Sequence, residues 1–218
     1  MDVSPARWIV RLPWRSEIKK TETDIVNRML AIRTQCWNAA LNAYATSYIF
    51  QRRARILRVR LQLITYAGFI VPMIVGLLVL GYGDFKSLAV IVSVAAAIGI
   101  CQVALSLWSI IGGWVDRYSY SLTSISANDL LAAKYTRLAS NPPEGLWGLQ
   151  SQYEVLQAED DGRQEQDYQQ AIKEEEKHMG MRAALRRYQR RCAACNKIPT
   201  TMQASDCGVC GDFRYRIT

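Results

Sequence analysis

LQLITYAGFIVPMIVGLLVLGYG, residues 61–83, decides the fold of this chain, because it runs for 23 residues without a charged side chain. A second uncharged run, SLAVIVSVAAAIGICQVALSLWSIIGGWV, occupies residues 87–115. About 20 helical residues cross the hydrocarbon core of a bilayer, whereas a helix of this length on a soluble core usually carries a charged face. The short connection GYGDFK, residues 81–86, makes the two runs antiparallel neighbours. The sequence therefore predicts an all-α membrane protein built on a two-span transmembrane helical hairpin, with spans at about 61–83 and 87–115.

The distribution of charge predicts the direction of this hairpin. Residues 1–60 contain twelve Lys/Arg against four Asp/Glu, and five of those arginines lie in QRRARILRVR, residues 51–60, whereas the connection carries only Lys86. Cationic side chains stay on the cytoplasmic side, so both chain ends are predicted to be cytosolic. The first 20 residues lack a continuous apolar region, and no cleavable signal peptide is predicted. The blocks of charge, within a net charge of +8, disfavour a uniformly basic nucleic-acid binder.

Each span is predicted to continue as a helix outside the membrane. No Pro or Gly separates Trp14 from Gly68 or Trp114 from Asn141, which predicts a basic amphipathic helix in residues 1–60 and a continuation of the second span through 116–140. Residues 141–191 are predicted as a further helical segment of one helix or two, with residues 159–162 as the candidate break. The two extensions should pair through an apolar contact of Trp37, Leu41, Tyr44 and Tyr48 against Leu122, Ile125, Leu130, Leu131 and Leu138.

Small and polar residues form one stripe along the second span. They recur at steps of three and four, so they share a helix face: Gly99, Gln102, Ser106, Ser109 and Gly113. An unpaired amide near the middle of a bilayer is costly, so this stripe should face protein or water. Two interpretations follow. The stripe either packs against a neighbouring helix, with Gln102 as a hydrogen-bond partner, or lines a pore that several copies build together.

The cysteines at the end of the sequence predict a metal site. Cys192, Cys195, Cys207 and Cys210 form the pattern C-x2-C-x11-C-x2-C, and two such pairs complete a tetrahedral set of thiolates for Zn²⁺. Four protein ligands leave no position for a reactive water, so the zinc is predicted to be structural, within a small four-cysteine zinc-ribbon or knuckle module at 192–218. The closing DFRYRIT is predicted as a short strand or hairpin. Motifs typical of enzymes are missing, and an enzyme is not predicted.

An arginine cluster precedes the cysteines. Its members are Arg182, Arg186, Arg187, Arg190 and Arg191. Two interpretations stand side by side: a solvated helix face, or a site for an anion or partner such as a phospholipid headgroup, a nucleotide or an acidic segment of a neighbour.

The arrangement of a basic helix, two spans with a minimal turn and a long helix after them resembles the SLATT group of bacterial proteins, the SMODS and SLOG-associating two-transmembrane effector domains. RRARILRVR, the two spans and GYGDFK carry this resemblance over about residues 20–140. The CxxC-x11-CxxC tail is similar to that of a group of small proteins carried by bacterial mobile elements. The resemblance implies a membrane effector of prokaryotic antiviral defence, located in the inner membrane, which oligomerises and breaches that membrane once a sensor is triggered.

The partners that follow are the lipid bilayer, further copies of the same chain, and a cytosolic sensor or activating enzyme. The resemblance implies no catalytic residues. The rival hypothesis is a non-conducting membrane adaptor that recruits a cytosolic partner through the arginine cluster and the zinc module. Nucleic acid is a less favoured partner of the same surface.

Overall fold

The structure, a computed structural model, describes residues 14–81 and 85–214. This part of the chain contains five helices. They are α1 (Trp14–Gly81), α2 (Phe85–Ile111), α3 (Trp114–Ser140), α4 (Leu146–Tyr168) and α5 (Glu174–Arg187). Within those two ranges no residue lies in a strand, so the all-α prediction is confirmed. Residues 1–13, the middle of the predicted turn at 82–84, and the last four residues of the predicted strand fall outside the described residues.

The first helix, α1, runs without interruption for 68 residues from the polar N-terminal part into the apolar run. The second apolar run does not continue in the same way. It ends at Ile111, and α3 starts at Trp114 after a break in which Gly113 has a left-handed backbone, φ 59°. A Cβ on Gly112 would lie only 2.8 Å from the Trp114 indole nitrogen. The two glycines therefore interrupt the helix here, where the sequence predicted an unbroken continuation of the second span.

The chain after α3 turns back on itself at the predicted Pro–Pro stop and forms α4. The break predicted near residues 159–162 is wrong, because α4 continues through it to Tyr168. Gly162 is exposed there, and a single exposed glycine costs a helix only about 1 kcal/mol. The break lies instead at residues 169–173, where Ala171 has φ 45°.

Helices α1 and α3 pack antiparallel, and we call their paired polar parts, residues 33–60 and 114–140, the stalk. Arg33 Nε donates to the carbonyl of Ala139 at 3.0 Å at one end. The rings of Phe50 and Tyr120 meet edge to face at 5.7 Å in the middle. The guanidinium of Arg60 lies 5.5 Å from the ring centre of Trp114 at the other end. Residue numbers therefore rise along α1 as they fall along α3.

The seam of the stalk follows the spacing of a coiled coil. Six of the buried residues of α1 recur at steps of four and three: Cys36, Ala40, Ala43, Ser47, Phe50 and Ala54. Six of those of α3 do the same: Ser121, Ser124, Asn128, Leu131, Tyr135 and Leu138. A regular seven-residue repeat keeps such a seam facing its partner. Small side chains on α1 thus lie against larger ones, such as Tyr135 and Leu138, on α3.

The predicted aromatic contact of the stalk is only partly present. Leu131 and Leu138 are buried as predicted, but Leu122 and Leu130 are exposed. Tyr44 packs against the cluster of Leu131 and Ala132, and Trp37 packs against the cluster that contains Leu138, as predicted. Their rings also lie 5.9 Å and 6.4 Å from the ring of Tyr188, which follows α5. Both side chains therefore lie where the seam meets a second packing face of α1, which α5 covers.

Helix α1 is the centre of the polar half, with α4 and α5 on neighbouring flanks. Ile32 packs in a cluster with Tyr153 of α4, whereas Leu41 packs in a cluster with Leu185 of α5. Residues of both helices, Gln164 of α4 and Met181 of α5, line one groove along α1. On the α5 side, a Cβ on Gly180 would lie 2.6 Å from the carbonyl oxygen of Ala45, so the two backbones approach closely.

The apolar parts of α1 and α2 remain uncovered in the single chain. Each contains an 18-residue window long and apolar enough to cross a membrane, and the buried share of that window is 0% in α1 and 6% in α2. Phe69 and Leu80 are 75% and 86% exposed. By length and composition these are two candidate membrane helices, beside a polar half that has its own packed core.

Candidate metal centre

The four cysteines converge in the loops that follow α5. Their sulfur atoms all lie within 4.8 Å of one another. The Sγ atoms of Cys192 and Cys207 are 3.8 Å apart, and those of Cys195 and Cys210 are 3.9 Å apart. A tetrahedral ion with metal–sulfur bonds of about 2.3 Å requires sulfur–sulfur edges of roughly 3.8 Å. The four residues therefore fit a tetrahedral metal ion, and they fill all four of its positions.

Each CxxC pair is held by the same tight turn. The amide of Asn196 donates to the carbonyl of Cys192 at 2.9 Å, and the amide of Gly211 donates to the carbonyl of Cys207 at 2.8 Å. Asn196 adopts a left-handed backbone, φ 56°, which asparagine tolerates better than most residues. A Cβ on Gly211 would clash with the backbone of Ser205. The residue after each pair is thus suited to closing a metal-binding knuckle.

The second knuckle also sets the ionisation of its cysteines. Backbone amides of Val209 and Cys210 donate to the sulfur of Cys207 and lower its pKa to about 6. Burial raises the pKa of Cys210 above its usual range. One thiol thus ionises readily, and the other needs a compensating cation to lose its proton. Metal coordination supplies that compensation, since thiolates are the form that binds.

The cysteine cluster is joined to the helices and does not stand apart from them. Cys192 and Cys210 are both about 1% exposed and pack in one cluster with Leu41 of α1 and Leu185 of α5. His178 Nδ1 lies 2.9 Å from the carbonyl oxygen of Asp212. We call residues 192–214 the metal module. It lies against the flank of α1 that α5 covers.

The structure separates the five arginines of the predicted cluster. Arg182 is buried, and its guanidinium donates to the carbonyls of Thr201 at 2.8 Å and Cys210 at 3.1 Å, so it ties α5 to the metal module. This buried role had no signal in the sequence. Arg190 Nη1 donates to Asn38 Oδ1 at 3.1 Å. The other three, Arg186, Arg187 and Arg191, are exposed and lie within five residues of one another at the end of α5 and just after it.

The predicted stripe of α2 faces α1 of the same chain. Gly99, Gln102 and Ser106 are half-buried and Ser109 is buried, whereas Gly113 belongs to the break before α3. A Cβ on Gly68 would lie 3.1 Å from Gln102 Nε2, so the amide packs over that glycine. This placement within one chain is the arrangement expected from the packing interpretation. A role of the stripe in a pore stays a prediction.

Sequence reasoning missed a buried polar network between α3 and α4. The carboxylate of Asp167 accepts hydrogen bonds from Tyr120, Ser124 and Asn128 at 2.6, 2.9 and 2.8 Å. Arg163 Nη2 pairs with the same carboxylate at 2.9 Å. Burial, followed by the hydrogen bond to Asp167, raises the pKa of Tyr120 to about 12. The network fixes the end of α4 against the stalk, and the seam spacing of Ser121, Ser124 and Asn128 was the signal that could have indicated it.

Comparison with known protein families returns one informative match. A family model described as Mobilome CxxCx(11)CxxC protein matches residues 33–213. The matched region begins at the first contact of the stalk and includes α2, α4, α5 and all four cysteines. No curated protein and no solved structure matches the chain. The match therefore covers the described fold and the metal centre as one unit.

Proposed function

The chain belongs to the family of mobilome CxxCx(11)CxxC proteins, and from this premise we propose that it is a membrane effector of prokaryotic antiviral defence of the SLATT type. It lies in the inner membrane, assembles from several copies, and opens a pore or disrupts the bilayer when a cytosolic partner triggers it. One observation carries this proposal: two bare apolar helices are joined directly to a packed helical stalk.

The exposure of the apolar helices supports a location in the membrane. A core helix of a soluble protein would be mostly buried, whereas the apolar windows of α1 and α2 are 0% and 6% buried. Arg60 and Trp114 stack at the junction between the apolar and polar halves. Tryptophan and arginine side chains favour the headgroup region of a bilayer. With five arginines just before the first span, the stalk and both chain ends lie in the cytosol.

We assign zinc to the four cysteines as a structural ion. Four thiolates at tetrahedral spacing suit Zn²⁺, and a closed shell of protein ligands leaves no site for catalysis. The contacts of Cys192, Cys210 and Arg182 make the metal module a clamp that fixes α5 on α1. The ion thus holds α5 against α1 and takes no part in a reaction.

The unbroken α1 couples the clamp to the membrane. Arg53 of α1 pairs with Glu176 of α5, with 2.9 Å between Nε and Oε1, only a few residues before the first span. A partner that displaces α5 or the metal module would therefore release α1 close to the bilayer. Rotation or tilt of α1 then changes the contact between the hairpins of neighbouring copies.

The test is to induce the protein in a bacterium and to follow membrane potential with a dye, alongside viability. We expect depolarisation before loss of viability. Gln102→Leu should reduce ion flux at least tenfold while assembly stays intact, because it removes the amide at mid-span. Ile100→Leu, a change of similar size on the exposed face of the same helix, should leave flux unchanged.

Two results would contradict the proposal. Normal potential and viability under phage challenge, with the genomic neighbours co-expressed and the protein in the membrane, would favour the adaptor hypothesis. Depolarisation that persists unchanged in Gln102→Leu would restrict Gln102 to packing on Gly68, and the conduit would then have to lie elsewhere.

A further inference from the structure

Helix α4 presents an acidic outer face. Glu154, Asp161 and Glu165 are exposed and lie seven and four residues apart, which places them on one side of the helix. Glu159 is not part of this face, because it pairs with Lys134 of α3. Within the described residues, the three carboxylates of the acidic face form no ion pair. The face therefore carries three uncompensated negative charges.

An arginine face lies at the end of α5. Arg186, Arg187 and Arg191 are exposed, and none of them forms an ion pair with a described carboxylate. Arg182 and Arg190 are excluded from this face, since their guanidinium groups bond to the metal module and to Asn38. Three positive charges thus stand on the surface without an acidic partner in the described part of their own chain.

The two faces lie at overlapping heights along the stalk and on neighbouring flanks of it. Glu154 borders the groove that contains Gln35 of α1, and Arg190, beside the arginine face, bonds to Asn38, three residues or about 4.5 Å further along α1. The flanks are neighbours because Gln164 of α4 and Met181 of α5 line one groove along α1.

We propose that the acidic face of one copy docks against the arginine face of the next copy. Because the two surfaces differ, the contact is head to tail. Because they lie at overlapping heights on neighbouring flanks, successive copies turn about an axis parallel to α1 with little displacement along it, so the contact closes into a ring. This inference rests on the proposed function, in that it names the contact by which the membrane effector assembles.

The test is charge reversal in the full-length protein, purified with its metal in detergent, with the oligomer mass measured by light scattering. One variant carries Arg186→Glu, Arg187→Glu and Arg191→Glu, and the other carries Glu154→Lys, Asp161→Lys and Glu165→Lys. Each should weaken assembly roughly tenfold or more, because like charges then meet across the contact. The chain that carries all six changes should assemble again. Assembly of the unmodified protein should weaken as salt is raised.

The combined variant makes the test independent of folding defects, since it contains every substitution of both single-face variants. The proposal is overturned if neither reversal changes the mass, or if the combined variant stays dissociated while it retains its metal and its thermal unfolding temperature. It is also overturned if arginine reversal abolishes binding to anionic vesicles or to an oligonucleotide but leaves the mass unchanged.

The measured mass does not depend on conductance, so the two proposals can fail separately. If charge reversal dissociates the oligomer and the combined variant restores it, but the protein never depolarises cells, the interface is supported and the pore is contradicted. If a reversal variant that stays monomeric still depolarises cells, the effector function is supported and the interface is contradicted.

Discussion

Gly180 is the residue at which α5 comes closest to α1. Its missing side chain lets the carbonyl of Ala45 and the side chain of Ile49 occupy the space where a Cβ would lie. The contact joins the central helix to the helix that carries the metal module. The position is therefore a requirement of packing, and the α-helical backbone itself does not need a glycine there.

We expect Gly180→Val to destabilise the protein by about 1–3 kcal/mol, because a side chain at this position overpacks the α1–α5 contact. Gly162→Ala is the matched control. It lies within α4 with nothing within 4 Å of its Cβ position, and it should stabilise by about 0.5–1 kcal/mol through helix propensity. Thermal unfolding in detergent, followed by circular dichroism, measures both. Equal stability of Gly180→Val and the unmodified protein would contradict the packing role.

At the residue scale, the sequence predicted the ligands of the metal centre and missed the role of Arg182. The cysteines could be predicted because the two residues of each CxxC pair are close in sequence, and this spacing commonly binds a metal ion. Arg182 was not, since its partners Thr201 and Cys210 are 19 and 28 residues away and are brought near only by the folded module. The sequence does not show which of several neighbouring arginines is buried.

At the scale of elements, the metal module holds α5 in place. Cys192 and Cys210 pack with Ala184 and Leu185 as well as with Leu41. Removal of the ion should therefore loosen the packing of this cluster. The α1–α3 seam contains none of the metal ligands, and the Asp167 network holds α4 independently. Loss of metal should therefore be a local event.

We expect one Zn²⁺ per chain, and its removal by a chelator should increase hydrogen exchange of α5 amides, residues 180–187, about tenfold or more. Amides of the α3 seam, residues 121–138, should keep their protection. Cys207→Ser should reproduce the effect without a chelator, whereas Cys101→Ser, far from the cluster, should retain the ion. Equal loss of protection in α3 and α5 would show that the module supports the whole stalk.

The helices themselves followed from the distribution of Pro and Gly, but their faces did not. The seam of α1 consists largely of Ala, Ser and Cys, residues whose small side chains give a weak hydrophobic period. Trp37 and Tyr44 gave a stronger pattern, but they lie at the border of two faces, where they pack in clusters with α3 residues and also contact Tyr188. A helix packed on two sides contains two overlapping periods, and sequence alone does not say which partner each one meets.

For the molecule as a whole, the proposed topology places the stalk, the metal module and both ends on one side of the membrane. Fluorescent protein fused to either end should fluoresce in the cytosol, and alkaline phosphatase fused to either end should be inactive. Alkaline phosphatase fused after Lys86, in the connection between the spans, should be active. The opposite pattern of activities would reverse the orientation that the arginines of residues 52–60 predict.

The contacts of α1 with distant parts of the chain were beyond prediction at this scale. Arg190 and Asn38 are 152 residues apart in the chain, and Arg33 and Ala139 are 106 apart. Composition and spacing describe neighbours along the chain, whereas these contacts depend on the hairpin that brings distant segments together. The sequence therefore predicted a hairpin and a separate tail, and the structure joins the tail to the hairpin.

This long-range closure has a consequence for biosynthesis. Cys210 is translated about 95 residues after the second apolar run, which at roughly 5–20 residues per second is a delay of about 5–20 s. During that interval the hairpin is already available to the membrane insertion machinery, while one flank of α1 still lacks its cover. If the chain acts as we propose, each nascent copy enters the bilayer before the element that restrains it has been made, and metal supply then sets how quickly a new copy becomes quiescent.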